Sequence, residues 1–161
     1  MQLFIMRHGE ASFDALTDRQ RVLTPLGKRQ VEMSAKYINE QIQRLDLILV
    51  SPYIRTQQTL LACQSVLSID ENKVLNLPEL EPDANVEDAI NICMSYAQEF
   101  EAKSVLIISH LPLVNLLVDY WIPLHQNMSI FNVACVAQLE MNRETQDNRM
   151  IYFFNPYKQI E

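Results

Sequence analysis

The sequence predicts an α/β protein with three layers, α/β/α, around a mainly parallel sheet. Short apolar runs recur along the chain, and segments with helical periodicity lie between them. Near the end of the chain, apolar and polar residues alternate instead, which predicts an antiparallel hairpin at the sheet edge. A length of 161 residues suits one domain, so we predict a single domain over residues 1–161.

The predicted parallel strands are short and rich in leucine or β-branched residues. They lie at residues 2–6, 46–50 and 104–109, and a shorter strand is predicted near Val74 and Leu75. Their nearly uninterrupted apolar character is typical of strands that are covered on both faces. These segments therefore predict buried parallel strands.

Helices are predicted between the strands. Thr24 and Pro25 have the pattern of an N-cap followed by a first-turn proline, a second helix is expected after Ser51-Pro52, and Asn85 is the predicted cap of a third. Apolar residues at helical spacing mark the inner faces: Val31, Ala35, Ile38 and Ile42; Leu60, Leu61 and Leu67; Val86, Ala89, Ile90, Cys93, Met94 and Ala97.

The hairpin is predicted from Val133 to Leu139 and from Met150 to Phe154, across a polar stretch at 142–149. A second irregular region runs from Pro78 to Asn85, where two prolines and several acidic residues interrupt the pattern. We expect residues 78–85 to form an exposed functional loop.

Composition excludes several kinds of partner. The net charge of -7 and the pI near 4.9 oppose binding of nucleic acid, which usually needs a basic surface. The three cysteines are far apart, with no Cys-x-x-Cys pair, so buried, reduced thiols are expected. No apolar run reaches membrane-spanning length and no signal peptide precedes the first strand, which predicts a cytoplasmic protein with no membrane contact.

Glycine is scarce, since Gly9 and Gly27 are the only two in the sequence. Dinucleotide fingerprints and Walker-type loops need several glycines close together, so neither is present. We therefore predict no cofactor, and any phosphate must be held by side chains.

Basic and imidazole side chains follow three of the predicted strands. Arg7 and His8 follow the first, Arg55 comes shortly after the second, and His110 follows the third. Ligands of open parallel sheets bind outside the carboxyl ends of the strands, so these four residues are expected to share one pocket. Guanidinium groups match phosphate oxygens, and a neutral imidazole nitrogen is a nucleophile that can carry a phosphoryl group.

Other readings of these residues are less favoured. A metal site at His8 and His110 is opposed by the neighbouring arginines, and no carboxylate is spaced to complete it, so no metal is predicted. His125 lies in a polar segment and is expected to be structural or on the surface. Arg21 borders the predicted pocket, where it contacts either phosphate, a partner or solvent.

These motifs resemble the histidine phosphatase superfamily, also called phosphoglycerate-mutase-like. The resemblance covers most of the chain and rests on four segments: Arg7-His8-Gly9, Leu23–Gly27, Ser51–Thr59 and Ser109-His110. It implies that His8 is the nucleophile that becomes phosphorylated, while Arg7, Arg55 and His110 bind the phosphoryl group and stabilise its transition state.

The resemblance also bears on the leaving group. Family members that cleave phosphate esters carry a glutamate that protonates the departing alkoxide, and here the corresponding position falls on Pro82, with Glu79 and Glu81 nearby. Phosphohistidine needs no such acid, because an imidazole leaves readily once its free nitrogen is protonated. The short chain and the segment Ser109–Val114 look most like the small SixA-type phosphohistidine phosphatases, which act on histidine-containing phosphotransfer proteins.

The sequence therefore predicts a protein phosphohistidine phosphatase that meets a phosphorylated histidine phosphotransfer protein transiently, and we expect it to be a monomer. A phosphomonoesterase acting on small molecules is the alternative, and it predicts a working acid among residues 78–85. A phosphate-binding module without catalysis is a third reading, which the presence of a nucleophile disfavours.

Overall fold

The computed structural model describes residues 1–123 and 130–159. Within these residues, six strands form one sheet: β1 (Gln2–Arg7), β2 (Leu47–Val50), β3 (Val74–Asn76), β4 (Ser104–Ser109), β5 (Val136–Glu140) and β6 (Arg149–Phe154). The longer helices of the same residues are α1 (Pro25–Gln41), α2 (Ile54–Cys63), α3 (Val86–Glu99) and α4 (Leu113–Trp121). His125 lies outside the described residues.

The sheet has the order β3-β2-β4-β1-β5-β6, and its first four strands are parallel. Successive side chains of a strand point to opposite faces, so Phe4 and Met6 pack on one side while Leu3 and Ile5 pack on the other. Helices α1 and α2 cover the first side, and α3 and α4 cover the second. The predicted three-layer arrangement is confirmed.

The caps predicted for two helices are present. The Thr24 side chain accepts a hydrogen bond from the Gly27 backbone N–H, and Asn85 accepts from the first turn of α3. By contrast, α2 begins only at Ile54 and ends at Cys63, so Leu67 is not helical although it is buried. The prediction that Leu61 faces inward is wrong, because its side chain is 66% exposed.

The C-terminal hairpin is also confirmed. Strand β5 pairs antiparallel with β1 and with β6, which forms the sheet edge. Apolar and polar residues alternate along β5, but neither face of this strand is left in solvent, since the polar residue Gln138 is also buried. Its amide is satisfied by the side chains of Tyr37 and Gln2, so a polar residue is accommodated inside the protein.

Both glycines lie where the loop after β1 meets the first turn of α1. A Cβ on Gly27 would lie 2.2 Å from the carbonyl oxygen of Glu10, and a Cβ on Gly9 would lie 2.7 Å from that of Gly27. The two backbones therefore meet with no room for a side chain. The scarce glycines fix the segment that follows His8 directly against α1.

The cysteines and the lengths of the helices can also be compared with the sequence predictions. The cysteines Cys63, Cys93 and Cys135 are free and buried, as expected. No helix among residues 1–123 and 130–159 has the length and apolar character needed to cross a bilayer.

Candidate active site

The four residues predicted to share a pocket do lie together, at the carboxyl edge of the parallel strands. Arg7 ends β1 and pairs with Ser109 at the end of β4, so His8 and His110 leave neighbouring strands side by side. Their ring centroids are 5.2 Å apart. Arg55, on the first turn of α2, places its Nε 3.2 Å from His8 Nε2. A pocket of about 360 Å³ is lined by all four.

The His8 imidazole is held in a form suited to nucleophilic attack. Burial is the largest influence, and together with Arg55 and Arg7 it lowers the pKa of His8 to about 3, against the opposing effect of the hydrogen bond to Gly9. The ring is therefore neutral at physiological pH. Its Nδ1 donates to the Gly9 carbonyl oxygen at 2.7 Å, which leaves the Nε2 lone pair to accept from Arg55.

The two arginines are anchored differently. Arg7 Nη1 donates to the Phe131 carbonyl oxygen at 3.0 Å, while its buried Nε has no partner among the residues that the structure describes. Arg55 donates from Nη1 to the Asp18 carbonyl oxygen at 2.7 Å and from Nη2 to the Asp18 carboxylate at 3.1 Å. An incoming phosphate oxygen is a suitable acceptor for the Arg7 Nε–H.

His110 is also neutral, because burial, with contributions from His8 and Arg55, lowers its pKa to about 2. Its Nε2 lies 2.8 Å from the hydroxyl of Ser51, the residue that follows β2. Its Nδ1 is buried and unpartnered within the described part of the chain. Buried polar atoms are normally satisfied, so two unpaired nitrogens on residues that line one pocket point to a polar ligand.

Arg21 lines the pocket, but most of its hydrogen bonds go to the protein. Its Nε and Nη2 donate to the carbonyl oxygens of Ser12 and Ala11, and its Nη1 pairs with Asp18 at 3.2 Å. The guanidinium also lies 4.0 Å from the centre of the Phe13 ring. Arg21 thus stabilises the wall of the pocket, and its contact with phosphate or partner stays a prediction.

Sequence reasoning missed Asp18, Tyr157 and the role of Ser51. Asp18 binds both Arg55 and Arg21, and the hydrogen bonds from these arginines lower the pKa of its carboxyl although burial tends to raise it. Its spacing of three residues from Arg21 was the one available signal. Tyr157 also lines the pocket, but it comes from the far end of the chain and no motif marks it.

The segment 78–85 is exposed in part, as predicted, but one of its residues belongs to the core. Pro78–Leu80 forms a 3-10 turn, Leu80 is fully buried, and its carbonyl oxygen accepts from the Ser109 hydroxyl at 2.8 Å. Glu81 pairs with Arg19 at 3.1 Å. Among the described residues that line the pocket, none comes from this segment, so neither Glu79 nor Glu81 contacts the space beside His8.

A buried, neutral imidazole among cationic donors, at the carboxyl edge of a parallel sheet, is an arrangement suited to phosphoryl transfer. The family model of the histidine phosphatase superfamily (branch 1) matches residues 3–81. The chain belongs to the histidine phosphatase superfamily and is a hydrolase.

Among the relatives of the chain are phosphohistidine phosphatases of the SixA type. The chain is 35% identical over 145 residues to the phosphohistidine phosphatase SixA of Escherichia coli K12, covering 88% of this chain and 86% of that protein. A SixA homolog of Haemophilus influenzae is also 35% identical, over 86% of this chain and 87% of the homolog. A solved structure of the protein histidine phosphatase SixA complexed with tungstate superposes with a TM-score of 0.88 at 32% identity, covering 99% of each chain.

Proposed function

We propose that this protein hydrolyses phosphohistidine on a histidine-containing phosphotransfer protein, through a covalent phosphohistidine on His8. The observation that carries the proposal is the state of His8, whose neutral ring presents its Nε2 lone pair beside Arg55. Likeness to SixA proteins at 35% identity supports the choice of a phosphohistidine substrate.

The reaction proceeds in two displacements. The Nε2 of His8 attacks phosphorus, the N–P bond of the substrate breaks, and the substrate imidazole departs with the proton already on its other nitrogen. Water then attacks the phosphoryl group on His8, the new N–P bond breaks, and the proton lost by the water passes to phosphate or solvent. Arg7, Arg55 and His110 stabilise the charge on the phosphoryl oxygens in both steps.

The lack of an ester-cleaving acid from residues 78–85 favours this leaving group, since none of them is among the described residues that line the pocket. The one carboxylate of that lining, Glu10, accepts a hydrogen bond from Thr24 Oγ1 at 2.9 Å. Asp18 does not replace that acid, because its two arginine partners hold its carboxyl in the ionised form. An imidazole departs without such help, whereas an alkoxide does not.

The rim of the pocket supports a protein substrate. Phe13 lines the pocket and is 85% exposed, and Leu16 in the same segment is 95% exposed. A small phosphate ester leaves both side chains in water, whereas a protein surface around a phosphohistidine covers them. Exposed aromatic and aliphatic side chains beside a polar pocket are typical of contact sites for a partner.

A decisive experiment follows loss of acid-labile phosphate from a phosphorylated histidine phosphotransfer domain, with p-nitrophenyl phosphate and an alkyl phosphate in parallel. The proposal expects the phosphoprotein to be turned over and the alkyl phosphate to be nearly inert. Equal turnover of the alkyl ester, lost on Glu79→Gln or Glu81→Gln, would establish the small-molecule phosphomonoesterase instead.

The partner contact is tested separately with Leu16→Ser. This change is expected to raise KM for the phosphoprotein several-fold and to leave p-nitrophenyl phosphate turnover unchanged. Leu61→Ser is the matched control, because Leu61 is an exposed leucine of α2 and lies outside the 13–16 segment. Equal effects of the two substitutions would remove the 13–16 segment from the docking surface.

A further inference from the structure

Ser51 and His110 form a buried pair beneath the phosphate pocket. Strands β2 and β4 are parallel neighbours, so the residues that follow them lie side by side. The Ser51 hydroxyl oxygen is 2.8 Å from His110 Nε2, and both residues are almost completely buried. The catalytic scheme above uses His110 but gives Ser51 no role.

The direction of this hydrogen bond decides which ring nitrogen of His110 carries the proton. A neutral imidazole has one N–H, and its two nitrogens take opposite roles. Among the described residues the Ser51 hydroxyl contacts the Tyr53 backbone N–H, which can only donate to it, and His110 Nε2, so His110 Nε2 is the one acceptor for the hydroxyl proton. His110 then carries its proton on Nδ1, the nitrogen without a described partner.

The opposite tautomer conflicts with the proposed function. His110 lines the pocket and its Nε2 is occupied by Ser51, so Nδ1 is the ring nitrogen left for a phosphoryl oxygen. If the proton were on Nε2, Nδ1 would carry a lone pair, and two acceptors would face each other. With the proton on Nδ1, the same atom donates to an oxygen of the phosphoryl group. The choice of tautomer therefore turns His110 from a repulsive neighbour into a ligand for phosphate.

The position of Ser51 is fixed by hydrogen bonds of its backbone. Its backbone N–H donates to the Ile108 carbonyl oxygen at 3.1 Å, and its carbonyl oxygen accepts from Thr56 Oγ1 at 2.8 Å and Gln57 Nε2 at 2.7 Å. On the other side, the Tyr53 ring meets the His110 ring edge-on, with centroids 5.1 Å apart. The Ser51 backbone is therefore fixed beside His110, and the Tyr53 ring packs against the imidazole.

We propose that Ser51 is a positioning residue, which donates its hydroxyl proton to His110 Nε2 and so keeps the Nδ1–H of His110 directed at the phosphoryl group. This inference rests on the proposed function only in taking a phosphoryl group as the ligand. It predicts that the tautomer and the phosphate affinity of the protein change together when the hydroxyl is removed.

The test compares wild type with Ser51→Ala, using ¹⁵N NMR of the His110 ring and the Kd for inorganic phosphate. Wild type is expected to show the Nδ1–H form. Ser51→Ala is expected to show a mixture of tautomers, and phosphate binding should weaken in proportion to the fraction of rings that have lost the Nδ1–H, about 2- to 10-fold. The matched control is Ser109→Ala, since Ser109 is equally buried but its hydroxyl donates to the Leu80 carbonyl oxygen. It should keep both properties.

Two results would overturn the inference: an Nε2–H ring in wild type, or a Ser51→Ala protein with unchanged tautomer and unchanged phosphate Kd. If Ser51→Ala does not fold, the wild-type spectrum alone still decides the first point. Neither measurement needs phosphohistidine turnover. A protein that binds phosphate in the expected, Ser51-dependent way but does not hydrolyse phosphohistidine contradicts the proposed function and leaves this inference standing.

Discussion

The two edges of the parallel strands both carry a cleft, and the larger one lacks the chemistry. At the amino edge, a cleft of about 910 Å³ has a lining in which both arginines already have partners. Arg143 donates to the carbonyl oxygens of Ala97 and Ala102, and Arg149 pairs with Glu140. The cleft at the carboxyl edge has a volume of only about 360 Å³, but two of its lining residues have a buried nitrogen without a described partner, Arg7 Nε and His110 Nδ1.

This difference shows what identifies a binding site. Exposed ion pairs are satisfied by each other and by water, so they offer little to a ligand. Buried nitrogens without partners carry a desolvation cost that an anion can offset. Substitutions at the two edges should therefore differ in kind: the carboxyl edge controls chemistry, and the amino edge controls only stability.

The largest effect is expected for His8→Ala. Loss of the nucleophile should reduce phosphohistidine turnover by about 10³-fold or more, because no covalent intermediate can form. The measurement is steady-state hydrolysis together with trapping of labelled phosphate on the protein after rapid quenching. A His8→Ala protein that still becomes labelled would assign the nucleophile to another residue.

A smaller loss is expected for Arg55→Lys. Lysine keeps the positive charge, but a single ammonium cannot contact His8 Nε2 and both oxygen partners on Asp18 at once. We expect kcat/KM to fall about 10²-fold, the usual effect of removing one donor to a developing charge. Arg19→Lys is the control, because Arg19 is exposed and pairs with Glu81. Similar losses in both variants would contradict the role given to Arg55.

The carboxyl edge should also make the protein sensitive to acid. The pKa of His8 is about 3 in the folded protein and near 6.5 when unfolded, so the unfolded chain takes up the proton first. The contribution of neutral His8 to the free energy of unfolding is therefore fully present above about pH 6.5, and it is lost as the pH falls toward 3. Each such histidine contributes up to about 1.4 kcal/mol per pH unit to the loss of unfolding free energy.

Urea unfolding between pH 7 and pH 4 measures this slope. His8→Asn removes the titrating group, so its unfolding free energy should fall less steeply with acid than that of wild type. His110→Asn should behave similarly, since the pKa of His110 is lowered to about 2. Parallel slopes in wild type and both variants would mean that these histidines are protonated in the folded state.

The sequence was sufficient to predict the carboxyl edge but not the contacts within it. His8, Arg55 and His110 could be placed together because one rule on parallel sheets relates strand ends that are far apart in sequence. Asp18 and Tyr157 could not, since the first lies in an irregular segment and the second reaches the pocket from the end of the chain. No periodicity governs such approaches.

Two departures from the predicted burial have the same origin. Residues 78–85 have the composition of a solvated loop, yet one apolar residue, Leu80, fixes the segment to the core beside Ser109. Leu61 fits an apolar pattern with Leu60, yet the helix turns it outward. In both cases the outcome depends on which neighbour the side chain meets, and tertiary packing decides that.

The smallest effect is expected at the amino edge. Arg143 caps the end of α3 by donating to the Ala97 carbonyl oxygen, so Arg143→Ala should lower the free energy of unfolding by about 1 kcal/mol. Turnover and phosphate Kd should remain within about 2-fold of wild type.

Arg149→Ala is the companion variant, since the ion pair of Arg149 with Glu140 is exposed and should contribute less than about 1 kcal/mol to the free energy of unfolding. A clear loss of turnover in the Arg143→Ala protein would mean that the two edges are coupled, because the described linings of the two clefts have no residue in common. If turnover is kept while stability falls, the larger cleft is a structural feature, and the unpaired nitrogens beside His8 mark the functional one.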